Sequence, residues 1–309
     1  MKFINIIAFI ILLGSSLTAQ TIEKVVFNAK EPDSDYYLAL APEGEIKGAL
    51  LLLPGFGQNA ESIFPETKIQ NVAYGRGLLT IALAGGQKLH CDDTVTERLN
   101  AAMSHVRERF GLKADQFVMG GFSAGGTISL RYTELAHEKP ADYPIQPKAV
   151  FTVDSPVDLI DIWNYFQREL KKNFSEAGTG EARFVGDLMR KEIGTPEKDR
   201  EKYLALSPFT AGLDEPGNER FLKEVAVRTY EEIDMDWLIN QRMRSLYDHN
   251  GLNASELIIS LRLLGNERAE YMTAKQPGVR SNGLKHPHSW SIVDEVELVS
   301  WVLECLNVQ

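Results

Sequence analysis

Apolar residues in this chain follow two rhythms. Largely apolar runs at residues 48–54 (Gly-Ala-Leu-Leu-Leu-Leu-Pro), 78–84, 116–120, 148–153, 225–230 and 269–274 are short enough for strands, and the first is unbroken. Runs without a polar face read as strands covered on both sides. Residues 23–28 and 36–41 read as two further short strands near the start. Between the runs, apolar positions recur at helical spacing. Val95, Leu99, Met103 and Val106 share one face of a helix capped by Asp92 or Asp93. Residues 127–135, 254–264 and 291–306 repeat that pattern. Buried strands alternating with amphipathic helices predict an α/β fold with a mostly parallel central sheet flanked by helices.

One stretch breaks the alternation. Residues 156–220 are charged, helical in pattern, and carry Trp163, Tyr165, Phe166, Phe174 and Phe184. They read as a helical cap inserted over the strand ends. The plainer expectation for most of these aromatics is a small core of the insertion itself. At the start, Lys2 precedes an apolar run at residues 3–13 and a small-residue exit, Gly14-Ser15-Ser16-Leu17-Thr18-Ala19. That order predicts a secretory signal peptide over residues 1–19, cleaved after Ala19. Residues 20–309 then form one exported domain, periplasmic or extracellular. An uncleaved anchor is the alternative. No later run is apolar enough to span a membrane, so no stable insertion is expected after cleavage.

Composition narrows the partners. The 309 residues carry a formal net charge of −10. There is no basic stripe, so nucleic acid is not an expected partner. Cys91 and Cys305 are the only cysteines, and they lack metal-site spacing. Whether they pair is left open, as is the oligomeric state.

The chemistry centres on Gly121-Phe122-Ser123-Ala124-Gly125-Gly126, which has the form G-x-S-x-G. A strand pattern precedes it and a helix pattern follows. That context makes Ser123 the serine of a nucleophile elbow, whose hydroxyl stands exposed on a sharp turn. Alone, the motif also fits a turn residue or a helix N-cap. A serine needs a base to take its proton, and histidine is the usual one.

With these residues, the chain resembles the α/β-hydrolase family across most of residues 20–309. The resemblance rests on Pro54-Gly55-Phe56-Gly57 after an apolar strand, the elbow, the acidic segment Asp234-Met235-Asp236-Trp237, and His288-Ser289-Trp290. It implies a nucleophile, an acid and a histidine in that chain order. Ser123 is then the nucleophile, Asp234 the acid and His288 the base. Asp236 is the close alternative acid, and Asp154, just past the preceding strand, is a third. His286 is a neighbouring pocket residue, and His90 is a candidate to line the pocket. His105, His137 and His249 read as structural. The oxyanion hole implied is the backbone N–H of Ala124 with that of Phe56 or Gly57. Pro54 departs from the His-Gly often found there and leaves the amides intact.

The function implied is a carboxylic ester hydrolase acting on a small-molecule ester through an acyl-serine. A serine peptidase of the same fold and a non-catalytic binding protein are the alternatives. No cofactor is expected, because phosphate and dinucleotide loops are missing. No metal is expected either: His90-Cys91-Asp92-Asp93 are adjacent residues that helix capping explains.

Overall fold

The computed structural model describes residues 20–308 except Gln87, so the expected signal peptide lies outside the described residues. The apolar runs become strands β1 (Glu23–Val26), β2 (Tyr36–Leu40), β3 (Gly48–Leu53), β4 (Leu78–Ala82), β5 (Phe117–Phe122), β6 (Ala149–Val153), β7 (Ala226–Glu231) and β8 (Ala269–Thr273). They form one sheet in the order β1-β2-β4-β3-β5-β6-β7-β8. β2 runs antiparallel to β1 and β4, and every other neighbouring pair is parallel.

Among the described residues, ten α-helices follow in chain order. They are α1 (Ile63–Glu66), α2 (Ile69–Gly75), α3 (Asp93–Phe110), α4 (Ala124–Glu138), α5 (Leu159–Lys172), α6 (Glu176–Glu192), α7 (Arg200–Leu206), α8 (Met235–Arg242), α9 (Asn250–Leu263) and α10 (Glu295–Cys305). The unbroken apolar character of β3 now has its reason. Leu51 and Leu53 point into a core shared with α3, α4 and α9, while Leu50 and Leu52 point into a second core with α2 and α10. Successive side chains alternate faces, so a strand between two helix layers must be apolar at every position. The closing helix is shorter than its apolar pattern suggests. A 3₁₀ turn, Trp290–Ile292, comes first, and Asp294 then caps α10 by accepting from the Glu297 N–H.

Register places the site. Leu53 pairs with Gly121, Phe122 with Val153, and Val153 with Tyr230, so β3, β5, β6 and β7 end at the same level. The loops leaving them converge at the carboxyl edge of the sheet, where α/β folds place ligands.

The expected insertion holds α5, α6 and α7. Asp158 and Ser175 cap α5 and α6 by accepting backbone N–H bonds. Trp163, Phe166, Val185, Met189 and Tyr203 form an apolar cluster that also takes in Leu89 and Ala124, so it lies directly against the start of α4. Both cysteines are buried and free. Among the described residues, no helix is long and apolar enough to cross a membrane.

Candidate active site

Ser123 joins β5 to α4 with φ 53° and ψ −125°, a backbone region that few residues other than glycine occupy. Its N–H donates to the Val153 carbonyl at 3.0 Å, which ties the strained turn to the next strand. The flanking glycines are required by space. A Cβ at Gly125 would lie 2.3 Å from the Leu53 carbonyl oxygen, and one at Gly121 would lie 2.3 Å from the Gly125 carbonyl carbon. Helix and strand approach this closely only without side chains.

The amides around Ser123 sort themselves. Gly57 N–H donates to the Gly86 carbonyl at 3.3 Å, so it is spent on the turn. The N–H groups of Phe56 and Ala124 have no acceptor among the described residues. Ala124 is also the first residue of α4, where the helix dipole favours negative charge.

The carboxylate beside His288 is not the one the sequence expectation named. His288 Nδ1 lies 2.7 Å from an Asp154 carboxylate oxygen, Oδ2. Asp234 is elsewhere: its side chain accepts from the Trp237 N–H at 2.9 Å, capping α8, and its other oxygen takes the Lys285 ammonium. Asp236 is exposed in the first turn of α8. Helix capping claimed Asp234, because α8 begins immediately after it. Asp154, at the tip of the neighbouring strand, is the carboxylate that reaches the histidine.

Asp154 is held from all sides. It has φ 42°, and its N–H donates to the Tyr230 carbonyl at 2.9 Å. The Asn250 amide donates to its backbone oxygen at 3.0 Å and to Oδ1 at 2.9 Å. Burial works to raise its pKa, but the His288 charge and hydrogen bond, with help from His249 and Asn250, hold it below the usual carboxylate range. An ionised carboxylate only accepts, so His288 carries its proton on Nδ1, leaving Nε2 with a free lone pair.

A second carboxyl stands behind the first. Glu231, the last residue of β7, is fully buried, and a ligand atom of each of Asp154, Glu231 and His249 lies within 4.8 Å of the others. Burial first, then the charge and hydrogen bond of Asp154, push the Glu231 pKa well above its ordinary value. Glu231 is therefore a neutral acid beside an ionised one. This trio has little to offer a metal. His249 accepts from the Gly251 N–H at 2.8 Å and faces the Glu232 carbonyl at 2.9 Å, so both ring nitrogens are committed, as are both Asp154 oxygens.

Ser123, Asp154 and His288 border one cavity of about 320 Å³, which Phe56, Phe166 and His286 also line. Burial and the charges of Arg280, His288 and Arg242 push the His286 pKa down to about 4, so this ring is neutral near pH 7. His90 is buried near Asp92 and Glu192, away from the cavity lining.

No family model matches the chain, and no curated protein matches it in sequence. Solved structures match it in fold. MPT51 of Mycobacterium tuberculosis superposes with a TM-score of 0.57 at 12% identity, over 94% of this chain and 99% of that one. An esterase of Pyrobaculum calidifontis gives 0.54 at 15% identity, over 93% of this chain and 85% of its own. A prolyl endopeptidase gives 0.54 at 16% identity over 94% of this chain, which spans 39% of that protein. The fold is that of the α/β-hydrolases. Within the α/β-hydrolase fold, Ser123 and His288 stand where the sequence expectation put them, on the elbow and in the loop after the last strand. The signal for Asp154 was present in the chain: it directly follows an apolar strand, as Ser123 does, whereas Asp234 lies three residues beyond one. Asn250 and Glu231 carried no sequence signal, because their roles depend on partners distant in the chain.

Proposed function

We propose that this chain is an exported serine hydrolase that cleaves carboxylic esters through an acyl-serine intermediate. The observation that carries the reading is the 2.7 Å pair of His288 Nδ1 and Asp154 Oδ2 on a cavity that also contains the strained Ser123. In this reading Ser123 Oγ attacks the ester carbonyl while His288 Nε2 takes its proton. The imidazolium formed is stabilised by Asp154. Charge developing on the carbonyl oxygen meets the Phe56 and Ala124 amides. His288 then gives its proton to the departing alcohol. A water, deprotonated by His288, attacks the acyl-serine and frees the acid and Ser123. Export rests on the basic, apolar and small-residue order of residues 1–19.

The esterase named among the structural neighbours favours ester substrates, and the prolyl endopeptidase keeps amides in the test. A fluorophosphonate probe is expected to label the protein at Ser123, and Ser123→Ala to abolish both labelling and hydrolysis of short acyl esters. Aminoacyl amides assayed in parallel are expected to be cleaved far more slowly. Full labelling of Ser123→Ala would remove Ser123 from the mechanism, and amides cleaved faster than esters would favour a peptidase.

A further inference from the structure

Several arginines of this protein are ion-paired. Arg168 meets Asp248 at 2.7 Å, Arg228 meets Glu270 at 2.5 Å, and Arg244 meets Glu169 at 3.0 Å. Two arginines lining the cavity differ. Neither Arg242 nor Arg280 has a carboxylate within ion-pair distance among the described residues, although both are half-buried. Arg280 lies over the Phe122 ring at 5.0 Å, and that ring is 4.4 Å from the His288 ring. Arg242 lies over Trp237 at 4.7 Å and donates to His286 Nε2 at 3.0 Å. The His286 ring is in turn 6.3 Å from that of His288. Each guanidinium therefore stands one aromatic ring away from His288.

The acids nearby are engaged elsewhere. Asp154 serves His288 and Asn250, Asp248 takes Arg168 and Lys172, and Glu66 receives the Ser281 N–H and hydroxyl. Glu181 is exposed on α6. His286 is neutral near pH 7 and cannot offset a charge. Arg242 Nε is buried without an acceptor. Burial disfavours the cationic form of Arg280 by more than the charges of Glu66 and Asp154 restore, and the charge of Arg242 adds a smaller push the same way. Two partly desolvated cations without counter-ions cost free energy that a bound anion restores.

We infer that this cavity selects esters bearing a second, anionic group, a carboxylate or phosphate, which Arg280 and Arg242 hold while the ester carbonyl lies at Ser123. This rests on the serine-hydrolase reading and specifies its substrate class. Guanidinium forks suit such oxyanions, and the aromatic rings beneath them keep the forks oriented.

Matched ester pairs test it. On the acyl side, 4-nitrophenyl hemiglutarate is compared with its methyl ester. On the alcohol side, 3-acetoxybenzoate is compared with its methyl ester, and 3-acetoxyphenyl phosphate with phenyl acetate. In one of these pairs the anionic member is expected to have the higher kcat/KM by roughly tenfold or more, the scale of hydrogen bonds to a charged group. The pair that responds identifies the side and the anion. Arg280→Gln and Arg242→Gln are expected to lower that ratio, mainly through KM, while fluorophosphonate still labels Ser123. Neutral members turned over as fast as anionic ones in every pair, or variants that lower both members alike, would overturn the inference. Should no ester be cleaved at all, calorimetry on Ser123→Ala with glutarate and with inorganic phosphate decides it. Binding that disappears in the double arginine variant would support the anion site and sink only the ester reading. No binding would sink the anion site.

Discussion

Asp154 and Glu231 are neighbouring carboxyls held in opposite protonation states. Asp154 is ionised because His288 and Asn250 meet it, whereas Glu231 has no cation and no water-exposed surface. The acid assignment predicts a clear contrast. Asp154→Asn should lower kcat by about 10⁴-fold, because an amide accommodates the wrong imidazole tautomer, whereas Asp234→Asn should change it only a few-fold. Steady-state kinetics on the two variants check this. Glu231 also makes stability depend on pH. Its folded pKa is raised, so its stabilising contribution is complete below the unfolded value of about 4.3 and is lost as pH rises above it. Glu231→Gln lacks that loss. Its melting temperature relative to wild type should therefore climb as pH rises above about 5, and a flat difference would show that Glu231 is not held neutral.

At the scale of elements, the β5–α4 elbow and the α5–α6 pair do different work. The elbow is a contact between backbones, and a methyl group there has nowhere to go. Gly125→Ala, with its Cβ 2.3 Å from the Leu53 oxygen, should lose about 1–3 kcal/mol of stability and most fluorophosphonate labelling together. Urea denaturation and a labelling assay measure the two effects. In the inserted helices, Trp163 is 4% exposed and packs edge-on to Tyr203 at 6.5 Å, so it belongs to their core. Trp163→Ala should cost about 3–5 kcal/mol. Phe166 belongs to the same cluster but also lines the cavity, so Phe166→Ala should in addition shift the preferred acyl length, read from a series of 4-nitrophenyl esters.

For the whole molecule, the sheet is the positioning device. Four strand ends at one level bring the Phe56 turn, Ser123, Asp154 and the β7 exit together, and the loop after β8 adds His288. Two apolar cores clamp the sheet from both faces, so the edge that carries the site rests on a rigid layer. The export reading belongs to this scale as well. Mass spectrometry of protein expressed with residues 1–19 in place should find an N-terminus at Gln20 in the exported fraction, and an intact, membrane-associated chain would instead support an anchor.

The strands, most helices and the elbow were legible in the chain because they rest on local periodicity and spacing. A strand covered on both sides must be apolar throughout, and a turn that packs helix against strand must be glycine-rich. The place of Ser123 on the elbow followed from those local patterns, and that of His288 from the resemblance. The carboxylate that meets His288 did not. Asp154 directly follows its strand and Asp234 lies three residues past another, but that spacing does not say which carboxylate caps a helix and which meets a histidine 134 positions away. Strand order and register decided that, placing the tip of β6 within reach of the loop after β8. The neutral state of Glu231, and the absence of an ion pair for Arg242 and Arg280 among the described residues, were likewise set by the fold. Burial and missing partners are properties of the surroundings, and the surroundings come from segments far apart in the chain.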